Sequence, residues 1–161
     1  MTNNKFRIML HNLLQTDYNY TFTLIRVVSG IIIFPYGMQK LLGWFDDFGG
    51  GVGINESLAS FAKKNISKPI AWMVIIGQSF GSVMLIIGFF GRIGAFFNLI
   101  IFTGAMLKHT SDGWVMNWTG TKKGEGIEYF IMLLALLLFV TINGSGAISM
   151  DCLLLNWYFT F

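Results

Sequence analysis

Residues 108–151 read KHTSDGWVMNWTGTKKGEGIEYFIMLLALLLFVTINGSGAISMD. His109 ends one apolar run, and a polar loop rich in Trp and Gly follows. Glu128 and Tyr129 then lead into FIMLLALLLFVTIN, which carries no charge. A glycine just past a helix end is a usual C-cap, so Gly144 closes a helix over about 127–143. GSGAIS looks like half of a dinucleotide fingerprint, but it follows a helix and not a strand, so it reads as a cap and turn ending on Asp151. An apolar segment with ionisable groups held at its two ends is the pattern of a membrane helix and its loops.

Composition extends that reading to the whole chain. Of 161 residues, 54% are hydrophobic and 12% charged, against roughly 25% charged in an average soluble domain. Mean hydropathy is +0.62. So few charges cannot cover a soluble surface, and the bilayer is the expected solvent. The net charge of +3 comes from scattered lysines, with no basic stripe for a nucleic acid. The single cysteine, Cys152, excludes an intramolecular disulfide or a Cys-x-x-Cys pair. His11 and His109 stand in separate segments, which argues against a bis-histidine haem site. Metal-ligand spacing is also missing: His109, Asp112 and Glu128 could meet, but no ligand spacing repeats within a helix.

Moving outward, a third apolar run covers about 93–109, with Asn98 and Thr103 on it. The short turn Gly88–Arg92 forces it into an antiparallel hairpin with a second run over about 69–90. Pro69 suits the first turn of that helix, and Gln78 sits at its middle. The first run, about 20–44, has the length of a bilayer span, ~20 residues. Arg26, Pro35, Gln39 and Lys40 interrupt it, and tyrosines and Trp44 flank it. An arginine at membrane depth costs ~2.5–3.5 kcal/mol or more, so it faces a polar partner or snorkels to the headgroups. The loop after this run is rich in glycine, including Gly49 to Gly53, but lacks the strand, Lys and Ser/Thr of a phosphate loop. Asp46 and Asp47 read there as solvated charges. Ile54, Leu58, Phe61 and Ala62 mark a short amphipathic helix, and the nearby Lys63, Lys64 and Lys68 could meet lipid phosphates.

Before the first run, Phe6, Met9, Leu10, Leu13 and Leu14 recur at helical spacing. No apolar core of a signal peptide is evident, so residues 1–19 are expected to form an interfacial amphipathic helix. The fold expected is an all-α membrane protein, a four-transmembrane-helix bundle over 20–151 with short interfacial amphipathic helices. Residues 152–161 form an apolar interfacial tail, and both termini lie on the same side. The lysine distribution would place the two long loops in the cytoplasm.

These residues resemble the DoxX family of small four-span membrane proteins of bacteria, over about Leu24 to Leu154. In the first run, Arg26-Val-Val-Ser-Gly30 and Gly37-Met-Gln39-Lys40 are similar to the family's Arg, Gly and Gly-x-Gln-Lys pattern. Gly81, Gly88 and Arg92 resemble its spaced glycines and turn arginine, and His109 with Gly113-Trp114 its third-span end. Gly126-Ile-Glu128-Tyr129 and Gly144-x-Gly146-x-x-Ser149-x-Asp151 resemble its last two motifs. Two positions depart from the pattern. Tyr36 stands where the family usually has histidine, and Gln78 where it often has glutamate, so neither can supply a proton-exchanging base. The resemblance implies a multi-pass protein of the bacterial inner membrane. Some members are linked to quinone-coupled sulfur oxidation and others to oxidative-stress complexes.

Two functions from different classes are compatible with the residues. The first is a membrane subunit of an oxidoreductase complex that binds a quinone or lipid-like ligand. Its candidate pocket is Arg26, Tyr36, Gln39, Lys40, Gln78, His109, Glu128 and Tyr129, which offer the donors that quinone carbonyls need. The chain has no flavin, haem, iron–sulfur or nicotinamide motif of its own, so a partner would supply electrons. The second is a non-catalytic anchor or assembly module contacting lipids, with a homo-oligomer compatible with either. There, Glu128 would pair with Arg26 or Lys40, and Asp151 with Arg92. Gly37, Arg92, Gly144, Gly146 and Asp151 are expected to be structural. A transporter is the weakest reading, because no inverted repeat is visible.

Overall fold

The computed structural model describes residues 2–46, 51–121 and 124–159. Asp47, Gly49, Lys122 and Lys123 lie outside them. Seven α-helices and no strand occur among the described residues: α1 Thr2–Leu14, α2 Tyr20–Leu42, α3 Gly53–Lys63, α4 Lys68–Ile87, α5 Gly91–Lys108, α6 Glu128–Asn143 and α7 Met150–Phe159. A 3-10 turn, Thr110–Asp112, follows α5. Residues 152–159 of the expected tail belong to α7, whose first turn holds Asp151 and Cys152.

Local chemistry sets the boundaries. Asn19 begins α2 by accepting the Thr21 N–H at 2.8 Å, and Gly43 ends it at φ 75°, a conformation that costs glycine nothing. This stop leaves Trp44 beyond the helix. α4 has Pro69 in its first turn and ends on Gly88 at φ 70°.

α2 and α4 pack closely through glycine. Gly30 lies against Leu85 and Ile86, and Gly37 against Gln78 and Ser79, which fixes the two helices as antiparallel. Ser79 Oγ donates to the Gly37 carbonyl at 2.9 Å. α4 and α5 meet at Gly81 and Gly94, where Asn98 Nδ2 donates to the Gly77 and Gly94 carbonyls at 3.1 and 2.9 Å. Small residues let backbones approach where apolar burial cannot drive helices together, as in lipid. The core between α2, α4, α5 and α6 is Ile33, Leu85, Ala95, Phe102, Phe130, Leu133, Leu137 and Val140.

The outer surface inverts the order of a soluble protein. Ile70, Met73, Ile76, Phe80, Val83 and Ile87 form an exposed stripe on α4, while Ser79, Ser82 and Gln78 are buried on its inner side. Large contiguous apolar surface of this kind needs lipid or a partner to cover it. α2 and α4 are each long and apolar enough to cross a membrane, and α6 is a shorter apolar helix.

Candidate functional site

The polar residues separate to two ends of the bundle. Arg26 does not join the others. It is buried at the end of the α4–α5 hairpin, where Nε donates to Ser145 O at 2.7 Å and Nη2 to Ile148 O at 2.6 Å. Nη1 donates to Leu85 O and, at 2.9 Å, to Ile86 O. The last carbonyls of α4 have no partner within the helix and carry its negative dipole end, so a guanidinium is favoured there. Asp151 does the reverse for α5: its carboxylate accepts the N–H groups of Phe90 and Gly91 at 2.6 and 3.0 Å, and the Ser145 hydroxyl at 2.5 Å. Burial pushes the Asp151 carboxyl up, against the pull of Ser145, Gly91, Phe90 and Arg26.

Arg92 does not pair directly with Asp151. It donates to Gln15 O at 3.1 and 3.0 Å and to the carbonyls of Thr141 and Ile142, closing the ends of α1 and α6. Gly144 and Gly146, at φ 88° and 83°, let the following loop press on Thr16 and Thr23. The expected Arg92–Asp151 pair fails because each charge already serves a helix terminus.

The other end gathers Tyr36, Gln39, Lys40, Gln78, His109, Glu128 and Tyr129. Tyr36 is its hub: its ring lies 6.4 Å from Tyr129 and 6.3 Å from Phe102. Lys40 Nζ donates to Tyr36 O at 3.0 Å and sits 5.7 Å from the same ring. Gln39 Nε2 reaches Gly51 O at 3.2 Å, tying the end of α2 to the segment before α3. Glu128 pairs with neither Arg26 nor Lys40. It accepts the Met116 N–H at 3.1 Å, and its own N–H donates to Trp114 O at 3.0 Å, so it folds the Trp loop onto the start of α6.

His109 stacks on Phe130 at 5.4 Å, and Phe130 in turn lies against Phe102 and Tyr129. Its Nδ1 meets Asp112 Oδ2 at 2.7 Å. The sequence places Asp112 beside His109 only as a weak metal-ligand candidate; a histidine closing a helix with aspartate three residues on is the local signal for this direct pair. With Nδ1 engaged by a carboxylate, Nε2 is the atom left to exchange protons. The His109 contact holds the Asp112 carboxyl below the usual carboxylate range. A depressed folded-state value stabilises the loop above the ordinary aspartate pKa and loses that contribution as pH falls through the lowered one. Acidification through that window is expected to loosen the Trp loop, read as a change in Trp fluorescence absent in Asp112→Asn.

Among the described residues, the buried Gln78 Oε1 has no hydrogen-bond partner, and the buried Tyr129 hydroxyl has the side chain of Tyr36 as a polar neighbour. Gln78 lies beside Gly37, the residue after Tyr36, so both oxygens belong to the level of the aromatic hub. Among the described residues, no group of three or more His, Cys, Asp or Glu side chains could hold a metal ion.

An all-helical bundle with polar groups inside and apolar stripes outside defines a class, that of helical membrane proteins. The sequence profile of the DoxX family matches residues 21–111, more than half of the chain, and the chain belongs to that family. No curated protein and no solved structure matches it significantly.

Proposed function

We propose that the chain is a four-span protein of the bacterial cytoplasmic membrane, with α2, α4, α5 and α6 as spans and both termini on one side. We further propose that it binds a planar, lipid-soluble ligand of the quinone class among Tyr36, Gln78, Phe102, Tyr129 and Phe130. Exposed apolar side chains on α5 (Phe96, Phe97, Ile100, Leu107) and α6 (Ile131, Met132, Leu138, Ile142) support the two additional spans.

The observation that carries the ligand reading is Gln78 Oε1, buried without a partner among the described residues at the level of an aromatic wall formed by Tyr36, Phe102 and Tyr129. A buried polar group without a partner costs about 1–3 kcal/mol. A ligand that carries carbonyls when oxidised and hydroxyls when reduced suits these side chains: Gln78 Oε1 accepts from a hydroxyl, and Tyr129 donates to a carbonyl in exchange for Tyr36. His109, oriented by Asp112, stands behind Phe130 as the proton-exchanging group. Electrons come from a partner oxidoreductase subunit.

The test separates stability from binding. Gln78→Leu removes the orphaned amide and is expected to stabilise the ligand-free protein by about 1–2 kcal/mol. The same change weakens decylubiquinone binding to the purified protein at least about tenfold, the equivalent of one strong hydrogen bond. Tyr129→Phe lowers binding alone. Unchanged binding in both variants overturns the site.

A non-catalytic anchor or assembly module is the second reading. It is favoured by Arg26 and Asp151, whose charges are taken up by helix ends. Absence of any quinone binding by the parent protein would leave this reading in place.

A further inference from the structure

We propose that residues 113–118, in the loop between α5 and α6, are a membrane anchor. Glu128 holds this segment so that Trp114, Val115 and Trp118 sit in the lipid interface beside the ends of the two helices. The proposal rests on α5 and α6 being spans and is independent of the quinone reading.

The loop is less polar than its letters suggest. Residues 113–121 read GWVMNWTGT and carry no charge. Its outward side chains are the apolar ones: Trp114 is 61% exposed, Trp118 73%, and Val115 is exposed next to Trp114. In water these side chains would keep apolar area hydrated at about 25 cal/mol per Å². A tryptophan is best placed where lipid meets water, since its ring is apolar and its single N–H finds a polar partner there.

Hydrogen bonds fix the depth. The Trp114 carbonyl accepts the N–H groups of Ile127 and Glu128 at 3.2 and 3.0 Å, and the Gly113 carbonyl accepts that of Ile127 at 3.1 Å. The start of the loop is therefore level with the first turn of α6. His109, at the end of α5, stacks on Phe130 of that same turn. Leu107 on α5 and Ile131 on α6 are exposed within one turn of these ends, so the apolar outer faces of both helices run up to the level of Trp114. Trp44, just past the end of α2 at the same end of the bundle, is exposed as well.

Backbone that enters lipid must have its polar groups satisfied within the protein. The Met116 N–H donates to the Glu128 carboxylate at 3.1 Å, the Trp118 N–H to Met116 O at 3.0 Å, and the Gly120 N–H to Asn117 O at 3.2 Å. Gly126, at φ 72°, lets the two sides of the loop touch, because a Cβ there would strike the carbonyls of Val115 and Trp114. Glu128 is thus a positioning residue for the loop. A soluble partner would find no charge to recognise in 113–121, whereas aromatic side chains at the ends of apolar helices match the bilayer boundary.

The experiment places single-tryptophan chains in phosphatidylcholine vesicles. It compares quenching by lipid brominated near the top of its acyl chains, by lipid brominated near their ends, and by aqueous iodide. Chains keeping Trp114 or Trp118, with the other four tryptophans changed to phenylalanine, are expected to lose about half of their emission to the shallow bromines, less to the deep ones and little to iodide, as for a ring at the headgroup boundary. Ile100→Trp on α5, with all five native tryptophans changed to phenylalanine, tests the span and should be quenched by the deep bromines. If it is, while iodide and not shallow bromine quenches Trp114 and Trp118, the anchor is overturned with the spans intact, and the loop stands in water or against a soluble partner. If Ile100→Trp escapes the deep bromines, the span reading falls and the anchor with it. Trp114→Phe and Trp118→Phe in the otherwise native chain report even where the multiple variants fail to fold. Each should remove emission that shallow bromines quench and leave the iodide-quenched part unchanged; the reverse overturns the anchor. Glu128→Ala leaves the Met116 N–H without its acceptor and should raise iodide quenching of Trp114 at least about twofold, while Glu128→Gln, which keeps an acceptor, should not. Equal quenching in the two variants overturns the role of Glu128.

Discussion

Arg26→Met is expected to destabilise the protein by about 3–5 kcal/mol, the cost of breaking a buried charged network from one side. The change strips donors from the carbonyls of Leu85, Ile86, Ser145 and Ile148 at once. It also removes the positive charge that favours the Asp151 carboxylate. Lysine does not substitute: one ammonium cannot reach four carbonyls distributed over the end of α4 and the 145–148 loop, whereas a rigid fork with five N–H donors can. Arg26→Lys should therefore recover only part of the loss. The pH dependence carries the sign. Burial already raises the Asp151 carboxyl, and loss of Arg26 raises it further. A group raised above its unfolded value favours the fold below the ordinary aspartate pKa and loses that contribution as pH rises through the folded one. The Arg26→Met defect should thus deepen from acid toward neutral pH. Equilibrium unfolding in detergent micelles at several pH values measures both effects. Parental stability at neutral pH would show that the guanidinium is not the staple of this end.

Arg26 also marks where the sequence stops being informative. Its place in an apolar run shows that it must have polar company, but not which company. Its partners lie 59 to 122 positions along the chain, and all are backbone carbonyls, which every residue carries and no composition reveals. The partner of Arg92 was misread for the same reason: a charge of opposite sign on the same side looked like its partner, while the exposed carbonyls at the end of α6 are invisible in a string of letters. The helices themselves were legible, because apolar runs closed by Gly43, Gly88 and Gly144 are local signals. At the candidate site, Tyr36, Gln78 and Tyr129 could be read as polar groups set in apolar segments. The walls, Phe102 and Phe130, could not, since an aromatic in a membrane helix is unremarkable until its neighbours are known. Membership of the family constrains the frame and leaves the ligand to these contacts.

Gly37 tests whether frame and site are mechanically one. A Cβ added there would lie 2.6 Å from both Cα and N of Ser79 and 2.7 Å from the Gln78 carbonyl carbon. These are backbone atoms of a 20-residue helix, which cannot rotate aside as a side chain would. Gly37→Ala must therefore push α2 and α4 apart, at a cost of about 3 kcal/mol, the upper part of the range for overpacking. Separation also lengthens the Ser79–Gly37 hydrogen bond and displaces Gln78 from the level of Tyr36, so quinone binding should fall with stability. Gly104 on α5 provides the control, because a Cβ there meets nothing within 4 Å. Gly104→Ala should gain about 0.5–1 kcal/mol from helix propensity alone. The two alanines differ by one methyl group on the same kind of helix, yet their expected effects have opposite signs. If unfolding in micelles gives them the same sign, the close crossing of α2 and α4 does not hold the aromatic site together. If Gly37→Ala loses stability but binds decylubiquinone as the parent does, the ligand lies elsewhere than beside Gln78.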